Sequence, residues 1–146
     1  VPVLEVIDKF TGETIRTLPV AEAADVDAAI GRAQRAFPAW AGTPAHRRSA
    51  ILLGAAERIR ARSEEFTTLI AREAGKAWKY AAGEVARSVE TFTFAGEEAK
   101  RIHGETVPMD ASAFGEGRIG FYIRAPLGVV SAITPFNFPL NLVAHK

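Results

Sequence analysis

The segment from Ala125 to Lys146, APLGVVSAITPFNFPLNLVAHK, constrains the fold of this chain more than any other part. Leu127 to Ile133 is a short apolar run containing Val129, Val130 and Ile133, bounded by Pro126 and Gly128 before it and Pro135 after it. A run of that length between breakers is the pattern of a parallel strand buried on both faces. Pro135-Phe136-Asn137-Phe138-Pro139 falls where such a strand must turn, and Leu140, Leu142, Val143 and Ala144 follow at mixed helical spacing. The segment therefore predicts a strand, a tight turn and a helix start. In open α/β sheets ligands collect just outside the carboxyl ends of the strands, so this turn is the place to look for chemistry. Asn137 is the only side chain in it with an amide donor. Two roles stand open: Asn137 caps the following helix, with Pro139 at an early helical position where its missing N–H costs nothing, or it offers its amide to a ligand.

The chain before this segment reads mainly as helical scaffold. Val3 to Ile7 and Thr14 to Leu18 are β-prone runs separated by a turn in which Gly12 can take positive φ, which predicts a hairpin. Asp25 is placed to cap a helix with Val26, Ala29, Ile30, Ala33 and Phe37 on its apolar side, and Pro38 is expected to stop it. Thr43-Pro44 predicts the next N-terminus, ahead of a basic helix burying Ile51, Leu52, Ala55 and Ile59; its arginines make a solvated or salt-bridged face. Ser63, with Glu64 and Glu65 suiting the positive helix end, opens a third helix that buries Phe66, Leu69 and Ile70 and ends at Gly75. The fourth and longest carries Trp78, Ala82, Val85, Val89, Phe92, Ala99 and Ile102 as a packing stripe and stops at Gly104. Between Arg118 and Arg124 apolar Ile119, Phe121 and Ile123 alternate with Gly120, Tyr122 and the arginines, the period of a strand with one wet face, set apart in an exposed arm or interface.

Charge and composition then narrow the function. The balance of 18 basic against 17 acidic residues leaves a net +1, which gives no electrostatic basis for binding nucleic acid or an anionic membrane. No apolar run approaches the ~20 residues that span a bilayer, and the N-terminus lacks the shape of a signal peptide. With no cysteine there is no disulfide or thiolate metal site, and cytoplasm is the favoured compartment. At 146 residues the length is that of one domain, yet Lys146 falls barely two turns into a helix with no stop signal, so a cut chain is expected. His46, His103 and His145 have no second ligand at helical spacing, so zinc is not expected. Gly115-Glu116-Gly117-Arg118-Ile119-Gly120 matches the dinucleotide fingerprint, but a strand follows where that motif needs a helix N-terminus, and the match is read as accidental. Glu73, Glu84, Glu90 and Glu97 lie on helices and are expected to face solvent.

Pro126-Leu127-Gly128-Val129-Val130, followed by Ile133-Thr134-Pro135-Phe136-Asn137-Phe138-Pro139, resembles the nicotinamide-dependent aldehyde dehydrogenase superfamily. Weaker likenesses run through the chain in family order: Val6 to Glu13, Ala36-Phe37 with Trp40, Arg47-Arg48, Glu73-Ala74-Gly75-Lys76, Gly83-Glu84-Val85 and Gly104-Glu105. The resemblance implies an α/β fold, the N-terminal part of the aldehyde dehydrogenase fold, with helices on an open, mostly parallel Rossmann-like sheet, an N-terminal hairpin and an extended β arm. It implies a division into residues 1–106, part of the cofactor domain; 107–125, an oligomerisation arm; and 126–146, the first cofactor-domain strand, the active-site turn and the start of a helix, without the catalytic domain.

Carried over by position, the resemblance makes Asn137 the amide that donates to the aldehyde oxygen as it becomes an oxyanion, an effect worth ~3–4 kcal/mol per donor. Ile133, Thr134, Pro135 and Phe136 would line NAD or NADP, with Phe136 standing where many relatives carry Trp. Phe138, Asn141 and Leu142 would face the substrate; Asn141, four residues after Asn137 on the same helical face, suggests a small hydroxylated or otherwise polar aldehyde. Relatives attack the aldehyde with a cysteine and hydrolyse the thioester with a glutamate, and both segments would lie beyond Lys146, so this chain alone is expected to be inactive. The expected partners are a small aldehyde and further copies of the full-length protein, as a homodimer or homotetramer. Two other readings remain: a coenzyme-A-acylating semialdehyde dehydrogenase, and a non-catalytic short protein that binds a partner.

Overall fold

A computed structural model describes residues 2–146. The hairpin forms as the sequence predicts: β1 (Val3–Ile7) pairs antiparallel with β2 (Thr14–Pro19), Glu5 opposite Thr17, with a register irregularity between Val6 and Ile7. Gly12 supplies the positive φ of the turn, at 76°. Asp8 closes that turn by accepting from the N–H groups of Phe10 (2.9 Å) and Thr11 (3.3 Å).

Four long helices follow: α1 (Ala23–Ala41), α2 (Ala45–Ala61), α3 (Ser63–Ala74) and α4 (Trp78–Glu98). Four predicted boundaries move, one of them the end of α4, which falls at Glu98 instead of Gly104. Helix α1 starts ahead of Asp25, whose carboxylate accepts from the N–H of Glu22 (2.9 Å) as the third residue of the first turn. It also runs through Pro38, because a proline in the last turn forfeits only its own N–H bond, and the Gly42 N–H still closes on the Pro38 carbonyl (3.3 Å). Pro44 rather than Thr43 precedes α2; the Thr43 hydroxyl turns back to the Ala39 carbonyl at the end of α1 (3.1 Å).

The core lies among α2, α3 and α4, where Ala56, Ile59, Ile70, Ala71, Ala81, Val85 and Val89 are buried and Phe66, Phe92 and Leu140 pack against them. Helices α2 and α4 approach closely at Gly96, where a Cβ would stand 2.9 Å from the Leu53 side chain. Gly75 ends α3 in the left-handed region, φ 63°, and lets the chain reverse into α4. The hairpin docks on α3 through the Lys9 N–H to the Arg72 carbonyl (2.9 Å) and the Arg72 guanidinium to Asp8 (2.6 Å).

Beyond α4, β3 (Glu105–Val107) and β4 (Gly120–Tyr122) pair antiparallel across two short 3₁₀ turns. Gly117 has positive φ and the fingerprint-like glycines lead into β4, not into a helix. Ile119, Phe121 and Ile123, the apolar side of the alternation, are all exposed. The predicted strand over 127–133 is not formed: the run is extended but belongs to no sheet, and Leu127 and Ile133 are about nine-tenths exposed. A strand exists by sharing its N–H and C=O groups with neighbours, and none of the described residues lies beside this run to take them. Both sheets among the described residues are two-stranded and antiparallel. Val129 and Val130 face Val26, Ala29, Ile30 and Ala33 of α1 across an open cleft of about 840 Å³, and no residue of α1 is buried. The chain ends in a short helix, α5 (Asn141–Ala144).

Candidate functional site

The segment from Pro135 to Asn141 is held against α4 by three hydrogen bonds to two side chains whose part in the site sequence reasoning missed. Glu84 sits on the α4 face that also carries Ala81, Val85 and Ser88, and it is fully buried. The expectation that it faces solvent is corrected: its Oε1 accepts from the N–H groups of Leu140 (2.9 Å) and Asn141 (3.2 Å). Its Oε2 accepts from the Lys76 ammonium at 2.5 Å, and the same Nζ donates to the Asn137 carbonyl at 2.8 Å. Lys76 stands in the short linker that Gly75 turns into α4, and its side chain is only 16% exposed. Burying this carboxylate without partners would be strongly unfavourable; here every partner comes from the linker or the turn.

This arrangement settles one of the two roles open to Asn137, that of helix cap. Helix α5 has Leu140 at its N-cap and no side-chain cap, and the N–H groups at its start are satisfied across the fold by Glu84. Asn137 is therefore not the cap. Its carbonyl is fixed by Lys76, while its carboxamide is exposed and makes no hydrogen bond to any described residue.

The other predicted site residues separate into two groups. Phe138, Asn141 and Leu142 come together against α4. The Phe138 ring lies beneath two cations, with Lys76 Nζ 4.2 Å and the Arg87 guanidinium carbon 4.9 Å from its centroid. Asn141 is 8% exposed, and its carboxamide oxygen accepts from the Thr91 hydroxyl (3.0 Å). Leu142 is half-buried. By contrast Ile133, Pro135 and Phe136 are exposed, and Thr134 is half-buried, on the extended approach to the turn. That approach offers free backbone groups and apolar side chains on one continuous strip, the kind of surface against which a planar cofactor ring and its ribose can lie.

Beside Phe138 opens a cleft of about 610 Å³ lined by Lys76, Lys79, Tyr80, Gly83, Arg87 and Phe138. Lys76 is neutralised by Glu84, but Lys79 and Arg87 are not matched by an acid in this lining, so the cleft presents positive charge. A carboxylate, sulfonate or phosphate group is the complement of such a wall. Among the described residues no group of three or more His, Cys, Asp or Glu side chains is placed to hold a metal ion, and no helix is long and apolar enough to cross a membrane.

The sequence profile of the aldehyde dehydrogenase family matches residues 2–146. Aspartate-semialdehyde dehydrogenase 1 of Pseudomonas canavaninivorans is 44% identical over 145 residues, 99% of this chain and 31% of that protein. Aldehyde dehydrogenase 21 of Physcomitrella patens, solved in complex with the reaction product succinate, superimposes with a TM-score of 0.93 at 42% identity, over 99% of this chain and 30% of that one. Glyceraldehyde-3-phosphate dehydrogenase GapN of Methanocaldococcus jannaschii, complexed with NADP, gives a TM-score of 0.89 at 37% identity, over 98% and 30% respectively. The chain thus spans about 30% of the length of the relatives it matches.

Proposed function

This chain belongs to the aldehyde dehydrogenase family, and from that premise we propose that it carries the oxyanion-binding turn of an NAD(P)-dependent enzyme oxidising an anionic aldehyde to a carboxylic acid. The observation that carries the reading is the Asn137 carboxamide, exposed and free of hydrogen bonds within the described residues because Glu84 takes over the capping of α5. A neutral donor held by its own backbone stabilises the charge that develops on the aldehyde oxygen without exchanging a proton.

The remaining residues divide the work. Ile133, Thr134, Pro135 and Phe136 form the strip against which NAD or NADP lies; when bound, that cofactor accepts the hydride. Phe138, Asn141 and Leu142 shape the substrate side, with Asn141 braced by Thr91. Lys79 and Arg87 attract the anionic end of the substrate, which sharpens the expectation of a polar aldehyde. Three similar proteins support that choice: the first is named for aspartate semialdehyde, the second was solved with succinate, and the third is named for glyceraldehyde 3-phosphate. The attacking thiolate and the hydrolytic base come from other parts of the full-length protein, which works in the cytoplasm as a homodimer or homotetramer on an open, largely parallel sheet that includes residues 127–133. The 146-residue chain, having no cysteine, forms no NADH by itself.

The test is steady-state kinetics of the full-length protein with succinate semialdehyde and with butanal. Asn137→Ala lowers kcat about 10²–10³-fold, the cost of one oxyanion donor. Arg87→Leu raises KM for succinate semialdehyde about 10–100-fold, the worth of a charge-assisted hydrogen bond, and leaves butanal unaffected. An unchanged kcat in Asn137→Ala removes the oxyanion role, and an equal effect of Arg87→Leu on both aldehydes removes the anionic substrate.

A further inference from the structure

We propose that Lys76 and Glu84 form a positioning pair for Asn137, setting where its amide stands relative to the reacting carbonyl; this rests on the oxyanion role of Asn137 argued above. The pair grips the turn at both ends. Lys76 Nζ holds the Asn137 carbonyl at 2.8 Å, and Glu84 Oε1 holds the N–H groups of Leu140 and Asn141 at 2.9 and 3.2 Å. The two side chains are joined to each other at 2.5 Å. Between the two grips Phe138 is pressed against the Lys76 ammonium, 4.2 Å from its ring centroid.

Both anchors are thus referred to the buried wall of α4 through Glu84, while the Asn137 side chain projects into solvent. Glu84 is wholly buried and the Lys76 side chain largely so, which shields the bonds made to Glu84, while the Lys76–Asn137 bond lies at the surface. An oxyanion donor acts only when it stands about 2.7–3.1 Å from the oxygen, and a displacement near 1 Å costs about 10²-fold in rate. Releasing either end of the turn moves the amide by that order.

The test is a double-mutant cycle in the full-length protein with Lys76→Met and Asn137→Ala, joined by Glu84→Gln, which keeps size and one acceptor oxygen but loses the ion pair. Lys76→Met is expected to lower kcat about 10–100-fold, with KM for NAD(P) changed less than about twofold. In the Asn137→Ala background the same substitution should cost less than about twofold, because the group that Lys76 places is gone. Lys76→Arg should recover part of the loss. The same factor in both backgrounds, or no loss in either, overturns the proposal. Hydrogen exchange supplies a second arm that does not depend on activity: the amides of Leu140, Asn141 and Leu142 should lose about tenfold or more of their protection in Lys76→Met and in Glu84→Gln. Unchanged protection overturns the pair as a pin. If the unsubstituted full-length protein oxidises no aldehyde, the oxyanion reading fails and the exchange arm decides the pin alone.

Discussion

Two carboxylates, Glu84 and Asp8, are buried, and each ties a distant part of the chain to the helical core. Glu84 makes its bonds inside the protein, so Glu84→Ala strands the Lys76 ammonium and two backbone N–H groups at once. A loss of about 3–5 kcal/mol is expected, read as a lower urea midpoint, whereas Thr93→Ala on the same helix, which gives up only a bond to the Val89 carbonyl, costs about 1 kcal/mol. Asp8 is held below the usual carboxylate range, first by the hydrogen bond from Arg72 and then by the Phe10 N–H. A depressed value means that the folded state binds fewer protons than the unfolded one. The stability Asp8 contributes is therefore complete above about pH 4 and is lost as the pH falls through its folded value. The urea midpoint should fall more steeply between pH 5 and about pH 2.5 in the unsubstituted protein than in Asp8→Asn; equal slopes would mean that the Arg72 contact contributes nothing.

At the scale of elements, α4 shows what was legible and what was not. Its stripe through Val85, Val89 and Phe92 was readable as packing, and so were the hairpin, the Gly75 stop, the core side of α3 and Ile59 of α2, because all depend on local spacing and turn chemistry; Ile51, Trp78 and Ile102, expected on the same buried faces, are more than half exposed. The buried face actually runs Ala81, Glu84, Val85, Ser88, Val89, so the wheel that placed Val85 inside also placed Glu84 there. That signal was outweighed by the habit of charged residues to face water, and the Leu140 amide that reverses the habit lies 56 residues away. The strand over 127–133 failed for the opposite reason: its pattern was right for burial, but burial is supplied by neighbours, which no local pattern contains. Glycines on these helices separate in the same way. Gly96→Val should destabilise by about 1–3 kcal/mol because Leu53 occupies the space, while Gly54→Ala, with nothing within 4 Å, should stabilise by up to about 1 kcal/mol; thermal melts of both variants check the pair.

Over the whole molecule, the α2–α4 core carries the hairpin and the turn, while α1 and residues 129–131 flank an open cleft. Amides of 127–133 should therefore exchange at nearly unprotected rates in the 146-residue chain and become strongly protected in the full-length protein, where the proposed parallel sheet takes them up. Equal exchange in the two would remove the sheet assignment for this run. The seat of Glu84 has a further consequence, in time. The chain is made from its N-terminus, and at about 5–20 residues per second the 56 residues separating Glu84 from Leu140 take roughly 3–11 s to add. For that interval on the ribosome α4 holds a carboxylate with Lys76 for company and no turn to close over it, so the turn can seat only after the helices that receive it have been made.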